Sequence, residues 1–155
     1  MFNLKELLNS DSFLFIDEPT SKKMVFDKLC SEAFQKYKID KNLLLNNLIK
    51  REKIGTTTIG NGIAIPHVQN DQIIKPICIV AILSKGLDFD ALDNNPVDLI
   101  VFLILPEESK TENLQILAQI SRLLRNVEIT NKLRGCKSED SAFAIISQHL
   151  KNKAA

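Results

Sequence analysis

Two apolar runs rich in β-branched residues, Ile77 to Leu83 and Val97 to Leu105, most constrain what this chain can fold into. Neither alternates apolar with polar, so each reads as a strand buried on both faces, which requires helices above and below a sheet. Helical patterns supply that cover. From Ser21 onward, Val25, Phe26, Leu29, Cys30, Ala33, Phe34 and Tyr37 recur at three and four residues, one face of an amphipathic helix capped by Thr20 or Ser21. Asp40 is a good N-cap for a second helix carrying Leu43, Leu44, Leu45, Leu48 and Ile49, which runs out near Lys53 because Gly55 follows. Thr111 to Asn126 predicts a helix with Leu114, Leu117, Ala118, Ser121 and Leu124 on one face. A short helix around Thr130 to Arg134 is closed by Gly135, and a last one runs from about Ser138 to Leu150, presenting Ala142, Phe143, Ile146 and Leu150.

At the N-terminus, Phe2, Leu4, Leu7 and Leu8 hint at a short helix, and Ser12 to Glu18 reads as a brief strand before Pro19. Helices and strands interleave with no repeat, linker or low-complexity tract. The expectation is one α/β domain across residues 1–155, with its core from about 4 to 150 and a mixed β-sheet sandwiched by helices.

The 20 basic and 19 acidic residues nearly cancel, so no field favours nucleic acid or an anionic membrane surface. The apolar stretch from Val97 to Pro106 is far short of the roughly 20 residues a membrane span needs, and Asp98 interrupts it. The opening residues lack a basic region followed by an apolar run and a cleavage site, so the expected location is cytoplasmic, without membrane insertion. Cys30, Cys78 and Cys136 are odd in number and far apart, which fits reduced thiols. No metal and no cofactor is expected: two distant histidines and scattered carboxylates supply no ligand spacing.

The segment from Gly55 to His67 crowds three of the five glycines into eight positions and reads as a loop feeding a short strand around Ile63 to Ile65. It fails the nucleotide fingerprints, having no third glycine of GxGxxG and no following GK[ST]. His67 follows directly, where loops of α/β proteins place functional side chains, although a loop histidine without a role fits the local context equally well. His149, beside Gln148 and Lys151 near the end of the last helix, reads as a surface residue. Around His67 the sequence offers an anion cradle: hydroxyls of Thr56, Thr57 and Thr58, the amides of Gly60 and Gly62, and Arg51 just upstream. Such donors suit a phosphoryl group, whose transfer depends on positioning and on stabilising charge over its oxygens. The neutral imidazole present near physiological pH is a competent nucleophile for it. Taken singly, the threonines are equally turn residues and Arg51 equally a helix C-terminal charge.

The residues Arg51-Glu52-Lys53-Ile54-Gly55-Thr56-Thr57-Thr58-Ile59-Gly60-Asn61-Gly62-Ile63-Ala64-Ile65-Pro66-His67 resemble the active-site motif of the fructose and mannitol type enzyme IIA of the bacterial phosphotransferase system. The block from Phe89 to Leu99 looks most like the nitrogen-regulatory branch, and the likeness runs from about Leu4 to Leu150. The resemblance implies phosphorylation of His67 by an HPr-like carrier that is charged from phosphoenolpyruvate. It implies a supporting arginine at Arg51, with Thr58 nearby. Sugar-specific members work with IIB and IIC components, whereas nitrogen-type members stand alone and regulate transporters and kinases by phosphorylation state; a free chain of 155 residues fits the latter. Where members usually carry a second histidine, the matching position is Asn113, which can donate to a phosphoryl oxygen but cannot titrate. Onward transfer to a IIB is thereby less expected than acceptance at His67. The remaining readings are a sugar-specific IIA passing phosphate to a separate IIB, and a binding scaffold that is not phosphorylated. A weak homodimer is compatible with all three. Val68 also replaces the small residue often found after the active histidine.

Overall fold

Across residues 3–154, the extent that the computed structural model describes, the two apolar runs form adjacent long strands. β5 (Ile77–Leu87) and β6 (Val97–Pro106) pair antiparallel, with Ile79 opposite Phe102 and Ala81 opposite Ile100. β1 (Phe13–Ile16) adds parallel to β5, while β3 (Ile63–Ala64) and β4 (His67–Asn70) run parallel along the other edge of β6. β2 (Thr58–Gly60) folds back antiparallel onto β3 and completes a six-stranded mixed sheet.

β3 and β4 are one strand with an interruption. Ile63 lies opposite Leu99 and His67 opposite Leu103, so one register runs through both, and the gap falls at Pro66, which has no N–H to give to a ladder. The Pro66 carbonyl still accepts from the Leu103 amide at 3.0 Å. His67 therefore opens a second short strand on the sheet edge instead of following the strand in a loop.

The helices α2 (Lys22–Tyr37) and α3 (Lys41–Ile54) cover one face; α1 (Leu4–Leu7), α4 (Lys110–Leu124), α5 (Val127–Arg134) and α6 (Glu139–Ala154) cover the other. Ser21 and Asp40 cap α2 and α3 by accepting from the amides of Met24 and Leu43, both at 3.1 Å. Phe2, part of the expected first helix, lies outside the described residues. Side chains alternate along each strand: Ile63, Ile65, Leu103 and Leu105 enter the core under α4 and α6, and Ala64, Val68, Phe102 and Ile104 the core under α2 and α3. By the same alternation His67 and Gln69 fall on the α4 side, at its open margin.

Three expected faces are corrected. Phe34 and Leu43 are 49% and 42% exposed, because each lies at the border of its helix's apolar stripe. On α4 the buried positions are Asn113, Ile116, Ile120, Leu123 and Leu124. Of the expected stripe only Leu124 is buried, and Leu114 is 68% exposed. The helix carries two overlapping apolar stripes, and the sheet takes the one that starts at Asn113.

Candidate active site around His67

His67 is held by its own strand. Its Nδ1 lies 2.8 Å from the Ile65 carbonyl, and a carbonyl only accepts, so Nδ1 carries a proton and, in the neutral ring, Nε2 is the nitrogen with the lone pair. Pro66 fixes the intervening backbone, which is why a contact across two residues holds the ring.

The half-exposed ring lines a cleft of about 690 Å³ between α3 and α4. α3 contributes Lys50, Arg51 and Ile54 to one wall; α4 contributes Lys110, Asn113, Leu114 and Leu117 to the other. Among the described residues, Glu107 is the only acidic one that lines it. None of Lys50, Arg51, Lys110 and Glu107 forms an ion pair among the described residues. Three unpaired cations against one carboxylate leave the cleft net positive, a place for an anion. Arg51 sits in the last turn of α3 and donates through Nη1 to the Gly55 carbonyl at 3.1 Å, which anchors its guanidinium at the cleft.

The glycine cradle is not assembled here. Gly62 is level with Asp98 on β6, and His67 is level with Leu103; five extended residues separate them, roughly 16 Å. Gly60 and Gly62 instead build the β2–β3 hairpin, at φ 95° and 77°. A Cβ on Gly62 would come within 2.9 Å of the Arg134 Nη2 and 3.1 Å of the Asp98 carboxylate. That arginine pairs with Asp98 at 2.9 Å and also donates to the Asn61 carbonyl, locking the turn. The threonine hydroxyls are likewise committed: Thr57 donates to Glu52 at 2.6 Å, Thr56 to the Phe89 carbonyl, and Thr58 shares a bond with Thr56. Thr58 is level with Ala64, not with His67.

Asn113 does line the cleft, but its amide donates to the Pro106 carbonyl at 2.8 Å and its Oδ1 has no partner. One N–H of this amide is thus engaged at the end of β6, where a strand-terminal carbonyl needs a donor. Lys50 and Lys110 were not singled out from the sequence. The available signal was a cation in the first turn of α4, where the helix dipole disfavours it.

The thiols stand apart from this chemistry. Burial pushes Cys30 up to about 12 and Cys78 higher still, and burial also raises half-buried Cys136. Iodoacetamide near pH 8 is expected to modify Cys136 in the native protein and Cys30 and Cys78 only after unfolding, as peptide mapping would show. His149 lines a separate hollow with Lys5, Arg122 and Lys153. Among the described residues there is no group of three potential metal ligands, and no helix is long and apolar enough to cross a membrane.

Comparison with known proteins adds to this geometry. A family model described as the phosphoenolpyruvate-dependent sugar phosphotransferase system, EIIA 2, matches residues 6–149. A nitrogen regulatory protein of Pseudomonas aeruginosa is 34% identical over 147 residues, covering 94% of this chain and 96% of the relative. A fructose-specific EIIA component of Haloferax volcanii is 30% identical over 133 residues, with 85% and 86% covered. The crystal structure of nitrogen regulatory protein IIA-Ntr from Neisseria meningitidis superposes with a TM-score of 0.82 at 28% identity, covering 90% of this chain and 96% of that one. With one family model over most of its length, whole-length relatives and a shared fold, this chain belongs to the EIIA type 2 family of the phosphotransferase system.

Proposed function

We propose that this chain is a cytoplasmic, single-domain phosphocarrier and regulator of the nitrogen-type phosphotransferase system. His67 accepts a phosphoryl group from an HPr-like protein charged from phosphoenolpyruvate, and the phosphorylation state controls partner transporters or kinases. The observation that carries this reading is the pinned ring: with Nδ1–H on the Ile65 carbonyl, Nε2 is the nucleophile left to a cleft with three unpaired cations. In the transfer, the Nε2 lone pair forms the N–P bond as the donor's bond to phosphorus breaks, and that electron pair stays with the donor. Arg51 stabilises charge on the transferring oxygens.

The rim supports a protein as the donor. Ile54 and Leu114 are 83% and 68% exposed on the two walls, and apolar side chains flanking a charged centre are the composition of a docking surface. The Pseudomonas relative favours the nitrogen branch, and the Haloferax relative keeps the sugar-specific alternative, in which phosphate passes to a separate IIB.

The test is incubation with phosphoenolpyruvate, enzyme I and an HPr-like carrier, scored by intact mass. One phosphoryl group per chain is expected; no gain from family-matched donors would overturn the reading. Arg51→Ala is expected to slow incorporation about tenfold to a hundredfold, measured as initial rate, and an unchanged rate would remove Arg51 from the site.

A further inference from the structure

We propose that Lys110, oriented by Asn113, is the group that holds the phosphoryl oxygens from the α4 wall; this rests on His67 being the phosphoacceptor. Three observations converge. Asn113 is 4% exposed, and its Oδ1 has no hydrogen-bond partner. Because its Nδ2 donates to the Pro106 carbonyl, the amide cannot turn over without setting carbonyl against carbonyl, so the wall is left needing a donor at that point. Lys110 stands one turn earlier on the same helix, at the spacing where side chains are neighbours, and lines the same cleft.

Lys110 is also costly where it stands. It is the first residue of α4, where its charge opposes the helix dipole; Ser109 makes no side-chain cap bond, and Glu112 is the acidic residue of that first turn. A phosphoryl dianion on Nε2 reverses that sign. An ammonium has three donors: one given to Asn113 Oδ1 satisfies the orphaned acceptor and steers the remaining two toward phosphoryl oxygens. Lys50 and Arg51 face the group from the α3 wall, and Glu107 is the one opposing charge. In this account Asn113 is a positioning residue that acts through Lys110 and makes no bond to phosphate.

The experiment is a double-mutant cycle on phosphorylation rate and on the lifetime of the phosphorylated form, using phosphoenolpyruvate, enzyme I and an HPr-like carrier. Lys110 is exposed, so its variants keep the fold. Lys110→Gln is expected to slow phosphorylation about tenfold, and Lys110→Arg to stay within about twofold of wild type. Asn113→Leu should slow it about threefold alone and add nothing in the Lys110→Gln background, because its effect passes through the lysine. Lys110→Gln running at the wild-type rate, or additive effects of the two substitutions, would overturn this proposal while phosphorylation of wild type left the phosphocarrier reading standing. A wild type that accepts no phosphate would instead overturn the phosphocarrier reading and this inference with it.

Discussion

His67→Ala is expected to lose all phosphate incorporation from labelled phosphoenolpyruvate while staying folded, its unfolding midpoint lowered by only about 2–4 °C. The loss is complete because the other histidine, His149, lines a hollow bounded by different residues from those of the cleft. None of the three thiols lines the cleft, so no other nucleophile replaces the imidazole there. The fold survives because the ring is half-exposed and makes one hydrogen bond, to the Ile65 carbonyl. One such hydrogen bond contributes about 1 kcal/mol net, which limits the cost. His67→Gln separates the two roles: a neutral side chain of similar reach fills the space and still transfers nothing.

Phe102→Ala is expected to destabilise the protein by about 3–5 kcal/mol, read as a lowered urea midpoint with unchanged slope. Phe102 is fully buried in the middle of β6, opposite Ile79, in the core under α2 and α3. Neighbouring strands on both sides hold the backbone, so the site cannot collapse onto the cavity. The same strand sets the register of His67 through Leu103. A loss below about 1 kcal/mol would mean that the core repacks, contrary to the fixed sheet described above.

Much of the fold was legible because it rests on strong local signals. β5 and β6 were readable from unbroken β-branched runs, since only a strand covered on both faces tolerates them. α2 and α3 were readable because Ser21 and Asp40 are caps whose side chains bond the first turn. The face of α4 was not, because Asn113 heads the buried stripe and hides it from a periodicity built on apolar residues. β2 and β4 were missed for a different reason: they are three and four residues long and contain or adjoin the glycines and proline that ordinarily mark loops.

The site was legible in part. Arg51 and His67 lie sixteen positions apart in sequence yet line one cleft, and the family resemblance picked them out together. The glycines were assigned by proximity in sequence, and an extended strand carries such neighbours to opposite ends of the sheet. Lys50 is masked by the neighbouring Arg51 and Lys53, and Lys110 shows only as a cation at a helix start; only the two helices converging on His67 make them a pair.

The most direct test of the central claim is a long-range ¹H–¹⁵N spectrum of the phosphorylated protein with its histidines isotopically labelled. One phosphoryl group is expected, on Nε2 of His67, with the proton retained at Nδ1. A phosphoryl group on Nδ1, on His149, or on no histidine would contradict it.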